Sequence, residues 1–442
     1  MKQTIFALAS AQGRAGVAVI RLSGPRSAEI VEHLLGRLPK PRFASFGKLR
    51  HSSETIDEAL TLYFKAPNSF TGEDCAEFHV HGSLAVLDKF YAVFRELGLR
   101  HAEAGEFSRR AFENNKLDLT QAEAISDLVE AESEAQRQQA LTQLGGGFKQ
   151  RYNDWRGRLI IILAHIEALV DFPDEDIPQS LSDRIIADIS ELRSEISEGL
   201  NDSQRGRQIR EGYRIAIMGK PNAGKSSLFN ALLQTDAAIV TPIAGTTRDV
   251  IEAHLRLGAY TALIYDTAGL RETTDIVESE GIRRAHQKGK SADLRIWVID
   301  ISEGINPEEY EFEAGDYLIC NKIDKSSDIG FAERLRSERE LKLFPTDLIS
   351  QSGLNELVSS LQSHLEKQLS LSTFPAATRE RHVERLRSAY ESLGRALDIG
   401  FDTPELMAED LRQAISGFDA LFGRADVELV LDHIFSSFCI GK

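Results

Sequence analysis

The run Tyr213-Arg-Ile-Ala-Ile-Met-Gly219 has the apolar character of a short buried strand. It passes directly into Gly219-Lys-Pro-Asn-Ala-Gly224-Lys225-Ser226 and then into the helical Ser227-Leu-Phe-Asn-Ala-Leu-Leu233. Strand, G-x-x-x-x-G-K-S and helix, in that order, make a phosphate-binding loop in the context it needs. The glycines let the backbone wrap so that its N–H groups and the helix N-terminus face phosphate oxygens. Asn222, Ala223, Gly224, Lys225, Ser226 and Ser227 are therefore expected to line a nucleotide's phosphates. Lys225 neutralises the β/γ oxygens and Ser226 ligates Mg²⁺. A glycine-rich turn without a ligand would leave the lysine unexplained.

Base identity follows from Asn321-Lys322-Ile323-Asp324, about a hundred residues on, after the strand-like Tyr317-Leu-Ile-Cys. A carboxylate at Asp324 accepts from guanine N1–H and from its exocyclic amine. Adenine offers neither donor on that edge and would leave the charge unpaired. Between the two lies Asp266-Thr267-Ala268-Gly269, where Asp266 holds Mg²⁺ through water and the Gly269 N–H meets the γ-phosphate. Gly245-Thr246-Thr247-Arg248-Asp249 sits where the first switch belongs, so that a threonine there, assigned as Thr247, completes the Mg²⁺ shell. Thr241, Pro242, Ile243 and Ala244 before it are counted with Gly245, Thr246 and Thr247 among the expected GTP-binding residues. Four elements in this order predict a GTPase domain. Leu270 stands where many GTPases carry a water-orienting glutamine, so catalysis must come from elsewhere: Arg248, Arg271, Glu278 or a cation.

The 442 residues suggest about three domains. With 52 Lys+Arg against 68 Asp+Glu, the formal net charge of -16 excludes a surface that binds nucleic acid everywhere, though not a local basic groove. Cys75, Cys320 and Cys439 are too few and too scattered for a disulfide framework. The apolar stretch Ile5–Ala9 is too short for a signal-peptide core, and Leu159–Val170 is too short and too polar to span a bilayer. A soluble, cytoplasmic protein is the expectation.

Residues 4–110 mix strand-like runs (17–22, 60–64, 77–81) with helical patterns, notably Leu84 to Leu97, and predict an α+β domain. From Leu117 the chain turns helical. Thr120-Gln-Ala-Glu123 has capping-box spacing ahead of an apolar helical period running to Gly145-Gly146-Gly147. Further helices are expected to about Val170 and over 182–208. From Tyr213 to about Leu369 strands and helices alternate, as a parallel sheet with crossovers requires. Helix then resumes to the end. Two helical segments bracketing an α/β unit are read as one discontinuous bundle with an inserted domain, because amphipathic helices need each other's apolar faces. The expected division is 1–116, 117–208, 209–370 and 371–442.

Several further motifs point one way. They are Gly13-Arg14-x-Gly16-Val17 with Ile20-Arg21-x-Ser23-Gly24; Phe70-Thr71-Gly72-Glu73-Asp74; Gly105-Glu106-Phe107-Ser108; Asn115-Lys116-Leu117-Asp118-Leu119; and the terminal Cys439-Ile440-Gly441-Lys442. With these, essentially the whole chain resembles the MnmE (TrmE) family of tRNA-modifying GTPases. The resemblance implies a folate-binding, homodimerising N-terminal domain, a discontinuous helical bundle and an inserted Ras-like GTPase domain. It implies action on C5 of the wobble uridine (U34) of certain tRNAs, with an FAD-dependent flavoprotein, MnmG (GidA), in a heterotetramer or larger complex. A carboxymethylaminomethyl or aminomethyl group would be built with 5,10-methylenetetrahydrofolate or 5-formyltetrahydrofolate as the folate. Arg21, Glu77, Lys116 and Lys442 match its folate contacts. Glu278 matches a water-positioning glutamate, and Asn222 with Thr241, Ile243 and Thr246 match ligands of an activating K⁺ in dimerised GTPase domains. Cys439 is the candidate reactive thiol beside the folate site, although a lone cysteine is more often a small buried apolar residue. Two positions depart from the family pattern: Ser83 stands for a second glycine after His81-Gly82, and Ile349-Ser350-Gln351-Ser352 for Ser-Ala after the last strand. A regulatory GTPase of ribosome assembly, without modification chemistry, is the competing reading.

Overall fold

A computed structural model describes residues 3–171, 178–235, 251–266, 289–303, 306–325, 329–370, 374–423, 428–436, 438 and 441. It divides into two compact units, one of residues 1–129, 143–190 and 388–442, the other of 130–142 and 191–387. Among the described residues no helix is long and apolar enough to cross a membrane.

The first unit begins with β1 (Ile5–Leu8), β2 (Ala15–Ser23), α1 (Ser27–Leu35), β3 (Ser45–His51), β4 (Glu54–Phe64), β5 (Cys75–Gly82), α2 (Leu84–Glu96), β6 (Arg100–His101) and α3 (Glu106–Glu113). The sheet order is β3-β4-β5-β2-β1-β6, antiparallel except for the parallel β1–β6 pair. Strand alternation sorts its two faces. Ile20, Leu22, Phe78 and Val80 are buried with Ile30, Val31, Phe90 and Phe94 of the helices. The opposite face of β2 and β5 carries Arg21, Glu77 and His79, all half-buried. Ser83 explains its own departure from the expected glycine, because its side chain caps α2 by accepting from Val86 N–H.

Next come α4 (Leu119–Glu130), α5 (Glu134–Leu144), α6 (Gly147–Asp171) and α7 (Gln179–Glu211). The single helix expected from 120 to 144 is in fact two, and the capping box sits two residues earlier than expected. Asp118 Oδ1 accepts from Gln121 N–H while Gln121 Oε1 accepts from Asp118 N–H. Thr120 and Glu123 are instead buried, so they face packing rather than the helix end. A second reciprocal pair, Ser133 and Gln136, starts α5 and breaks the period between the helices.

The other unit holds β7 (Tyr213–Met218), α8 (Lys225–Leu233), β8 (Ile251–Leu257), β9 (Tyr260–Asp266), β10 (Leu294–Asp300), β11 (Tyr317–Asn321), α9 (Gly330–Arg339), β12 (Lys342–Pro345) and α10 (Leu354–Leu369). The sheet order is β12-β11-β10-β7-β9-β8, parallel apart from the antiparallel edge strand β8. Leu294–Asp300 is buried along its whole length, as a central parallel strand covered on both faces must be.

The chain closes with α11 (Glu380–Ile399), α12 (Pro404–Leu421) and α13 (Glu428–Ser436). Helices α6 and α12 pack together although their residues lie some 263 positions apart. Tyr152 and Trp155 meet Phe418 ring to ring, and Arg156 holds Asp419 at 2.9 Å. That contact makes the bundle discontinuous, with the α/β unit inserted into it.

Candidate functional site

The phosphate loop runs from the C-terminal end of β7 to the first turn of α8. Gly219 has φ 140°, and a Cβ there would lie 2.2 Å from Val298 O. Gly224 has φ 110°, and its Cβ would lie 2.2 Å from Asn321 Nδ2. Both glycines are therefore demanded by close approach as well as by backbone conformation. Ser226 and Ser227 are exposed in the first turn of α8, while Lys225 is buried. The Lys225 ammonium donates to Gly219 O at 2.8 Å and to Lys220 O at 2.7 Å. Negative phosphate oxygens in the same loop are stronger partners for it than those neutral carbonyls. Such a cradle, too close for any Cβ and lined by a lysine, fits a polyphosphate with its magnesium.

The Asn-Lys-x-Asp segment braces this loop from the side. Asn321 Nδ2 donates to Ala223 O at 2.8 Å, and Asn321 Oδ1 accepts from Leu348 N–H at 3.4 Å. Lys322 Nζ donates to Asn222 O at 3.3 Å and is paired with Asp300. Asp324 is exposed just beyond. The segment that closes this side is Thr346-Asp347-Leu348, directly after β12, since Thr346 N–H donates to Cys320 O and Thr346 O accepts from Ile323 N–H. The residues that hydrogen-bond the Asn321-Lys322-Ile323 side are thus Thr346 and Leu348, just ahead of Ile349-Ser350-Gln351-Ser352. Ile349 lies outside at 88% exposure. Thr346 and Asp300 were missed in the sequence, and the signal for Thr346 was its place immediately after the last strand.

Asp266 ends β9 in register with Ile217 of β7, beside the strand that enters the phosphate loop. Its side chain, Thr267, Ala268, Gly269, Glu278 and the segment Thr241, Pro242, Ile243, Ala244, Gly245, Thr246 and Thr247 lie outside the described residues, as do Arg248, Leu270 and Arg271.

A second cluster forms on the open face of the first sheet. Arg21 and Glu77 are directly opposite on β2 and β5, and the Arg21 guanidinium reaches Glu77 Oε1 at 2.9 and 3.0 Å. Phe70 and Phe107 flank that guanidinium, their ring centroids 5.4 and 5.9 Å from Cζ. His79 Nε2, buried and without a hydrogen bond, lies 3.6 Å from Glu77 Oε2. Exposed Lys116 donates to Pro67 O at 3.0 Å, at the start of the loop that carries Phe70. Arg21 and Glu77 are thus brought together, and Lys116 is tied to the adjoining loop. Lys442 and Cys439 lie outside the described residues, but Gly441 is placed against β1, where a Cβ would meet Leu8 O at 2.1 Å. Cationic, acidic and aromatic groups beside a buried ring nitrogen that makes no hydrogen bond fit a ligand with a flat polar ring and an anionic tail, as a folate has.

Farther along β2 and β5 on the same face, where Ser23 is opposite Cys75, is a buried network not foreseen as a unit. Arg110 binds Glu73 and Glu106, each at 2.9 Å. Ser23 Oγ donates to Glu73 at 2.7 Å and lies 2.7 Å from Thr71 Oγ1. Cys75, buried beside it, is 3.1 Å from Thr71 Oγ1.

A phosphate loop braced by an Asn-Lys-x-Asp segment, on a mostly parallel sheet inserted in a helical bundle, defines a multidomain G protein. Residues 4–116 match the family described as GTP-binding protein TrmE N-terminus, and residues 119–439 match the MnmE helical domain. A protein of Caulobacter vibrioides named tRNA modification GTPase MnmE is 51% identical over 451 residues, covering 100% of each chain. Proteins of the same name from Maricaulis maris and Phenylobacterium zucineum are 46% and 47% identical, again over 100% of each chain. Among solved structures, the G domain of the T. maritima FeoB iron transporter is 29% identical and covers 34% of this chain and 98% of its own, with a low TM-score of 0.26. The chain belongs to the MnmE family.

Proposed function

We propose that this protein hydrolyses GTP in the course of modifying tRNA. As a homodimer it works with the FAD-dependent flavoprotein MnmG (GidA), in a heterotetramer or larger complex, to add a carboxymethylaminomethyl or aminomethyl group at C5 of U34. The observation that carries the nucleotide part is the hydrogen bond from Asn321 Nδ2 to Ala223 O, which ties the guanine-reading segment to the phosphate loop. The full-length likeness to proteins named tRNA modification GTPase MnmE supports the rest.

In this reading Lys225, the loop N–H groups and α8's first turn hold the phosphates, and Asp324 reads guanine. Ser226 and Thr247 would hold Mg²⁺, which would supply charge neutralisation at the phosphates. Asn222, Thr241, Ile243 and Thr246 would hold a K⁺, whose positive charge would be supplied beside the phosphates, and Glu278 orients the attacking water. Arg21, Glu77, Lys116 and Lys442 hold the folate, 5,10-methylenetetrahydrofolate or its 5-formyl relative, with Glu77 on the pterin edge and the cations on the glutamate tail. Cys439 lies beside it as the candidate thiol. The corresponding domains are 1–116, 117–208, 209–370 and 371–442, and the protein is cytoplasmic.

Nucleoside analysis of tRNA from cells lacking the gene tests this directly. Loss of C5-modified U34, restored by the wild-type gene and not by Lys225→Ala, is the expected result. An unchanged nucleoside profile with defective ribosome assembly would return the protein to the regulatory class.

A further inference from the structure

Two consecutive residues of the guanine-reading segment reach two consecutive carbonyls of the phosphate loop: Asn321 reaches Ala223 O and Lys322 reaches Asn222 O. The two tethers are fixed differently. The Asn321 amide is short and is oriented by Leu348 N–H on its oxygen. Lys322 is a long flexible chain whose ammonium has no preferred direction of its own. Its direction comes from Asp300, the last residue of β10, buried to 8% exposure. Asp300 Oδ2 holds the ammonium, while Oδ1 accepts from Ser302 N–H at 3.0 Å and Ser302 Oγ–H at 2.6 Å. The carboxylate is therefore locked by its own turn before it meets the lysine. Both partners of the Lys322 tether also sit in left-handed backbone, with φ 61° at Asn222 and 65° at Lys322. Such a conformation costs a non-glycine residue energy and persists where its neighbours hold it.

We infer that Asp300 is a positioning residue for nucleotide binding: by fixing the Lys322 ammonium against Asn222 O, it sets the spacing between the guanine-reading and phosphate-binding segments. This rests on the GTP reading above. Asp300 touches neither base nor phosphate itself. Its loss should weaken the fit of the whole nucleotide while leaving the hydrolytic groups as they are.

The test uses the full-length protein, with equilibrium binding of GTP and GDP and steady-state hydrolysis. Asp300→Asn keeps the shape and the Ser302 bonds but removes the charge. It should weaken both nucleotides about tenfold, the scale of one charge-assisted hydrogen bond. KM for GTP should rise in step while kcat stays within about twofold. Lys322→Met should weaken binding similarly, and the double variant should be no weaker than Lys322→Met alone, because the two groups act as one unit. The double variant also serves if Asp300→Asn folds poorly, since removing both charges leaves neither unpaired. Asp300→Asn affinity within twofold of wild type, additive losses in the double variant, or a fall in kcat matching the rise in KM would each overturn the assignment. A wild-type protein that fails to bind GTP would instead overturn the functional reading on which it rests.

Discussion

Asp324 stands exposed beyond a segment whose other members are tied down, and it is the carboxylate proposed to read guanine. Asp324→Asn replaces two acceptor oxygens with one acceptor and one donor, which sets the amide NH2 against guanine's exocyclic amine and suits the oxygen that xanthine carries in its place. Competition binding should show GTP affinity falling about a hundredfold or more, on the order of 3 kcal/mol, with xanthosine triphosphate becoming the preferred ligand. Unchanged GTP affinity would remove the assigned contact. Glu106 yields a prediction on acid stability. Burial disfavours its charge, but hydrogen bonds from Arg100, the Glu103 N–H and Arg110 outweigh that and hold its carboxyl below the usual range. A carboxyl lowered on folding stabilises the native state above its unfolded pKa, and that contribution is lost as pH falls through the folded value. Acid titration of unfolding should therefore show Glu106→Gln already destabilised at pH 7, with the gap to wild type closing below the ordinary carboxylate range. A gap constant with pH would mean that Glu106 acts through packing alone. Cys320, by contrast, is a poor nucleophile in the fold, because burial pushes its thiol up to about 12.

Helix α4 turns on its first residues. Asp118 and Gln121 satisfy each other's backbone N–H groups, and Asp118 Oδ1 also accepts from Thr120 Oγ–H at 2.7 Å. Asp118→Ala should cost about 1 kcal/mol in denaturant unfolding, while Thr120→Ser, which leaves that cap intact, should cost less. A loss near zero for Asp118→Ala would instead place the cap at Thr120, where the spacing alone puts it. That misplacement marks what a sequence conceals. Thr120-x-x-Glu123 and Asp118-x-x-Gln121 both satisfy the capping pattern, and only tertiary burial of Thr120 and Glu123 decides between them. The break before α5 was hidden for the same reason, since Ser133 and Gln136 form a cap inside a period that reads as continuous helix. The strands around the phosphate loop were legible because buried parallel strands and the glycine spacing are local signals. Thr346 and Asp300 were not legible. Their significance is a contact across the sheet, Thr346 with Cys320 and Ile323, and Asp300 with Lys322, and no local pattern encodes such a contact.

At the scale of the whole molecule, the inserted α/β unit was legible because helices on both sides of it lacked partners within their own segments. The ring contacts of Tyr152 and Trp155 with Phe418 are what joins those segments. The proposed potassium-dependent cooperation of two copies is testable at Asn222. Lys225 is tied inward to Gly219 O and Lys220 O, so it does not serve the outer side of the loop. Asn222 has an exposed side chain there, and its backbone carbonyl is already engaged by Lys322. Its amide oxygen suits a weakly hydrated monovalent cation. Hydrolysis should be at least about tenfold faster in K⁺ than in Na⁺ of equal ionic strength, a barrier difference of about 1.4 kcal/mol. Association of GTPase domains, read by light scattering with a transition-state mimic, should show the same preference. The variant to use is Asn222→Gly, because φ 61° disfavours alanine by about 1 kcal/mol and would mix strain with ligand loss. Asn222→Gly should bring the K⁺ to Na⁺ ratio close to one while GTP still binds. Equal wild-type turnover in the two salts would end both the potassium mechanism and the role of Asn222 in it. A ratio that survives Asn222→Gly would keep the cation and move its ligands elsewhere in the loop.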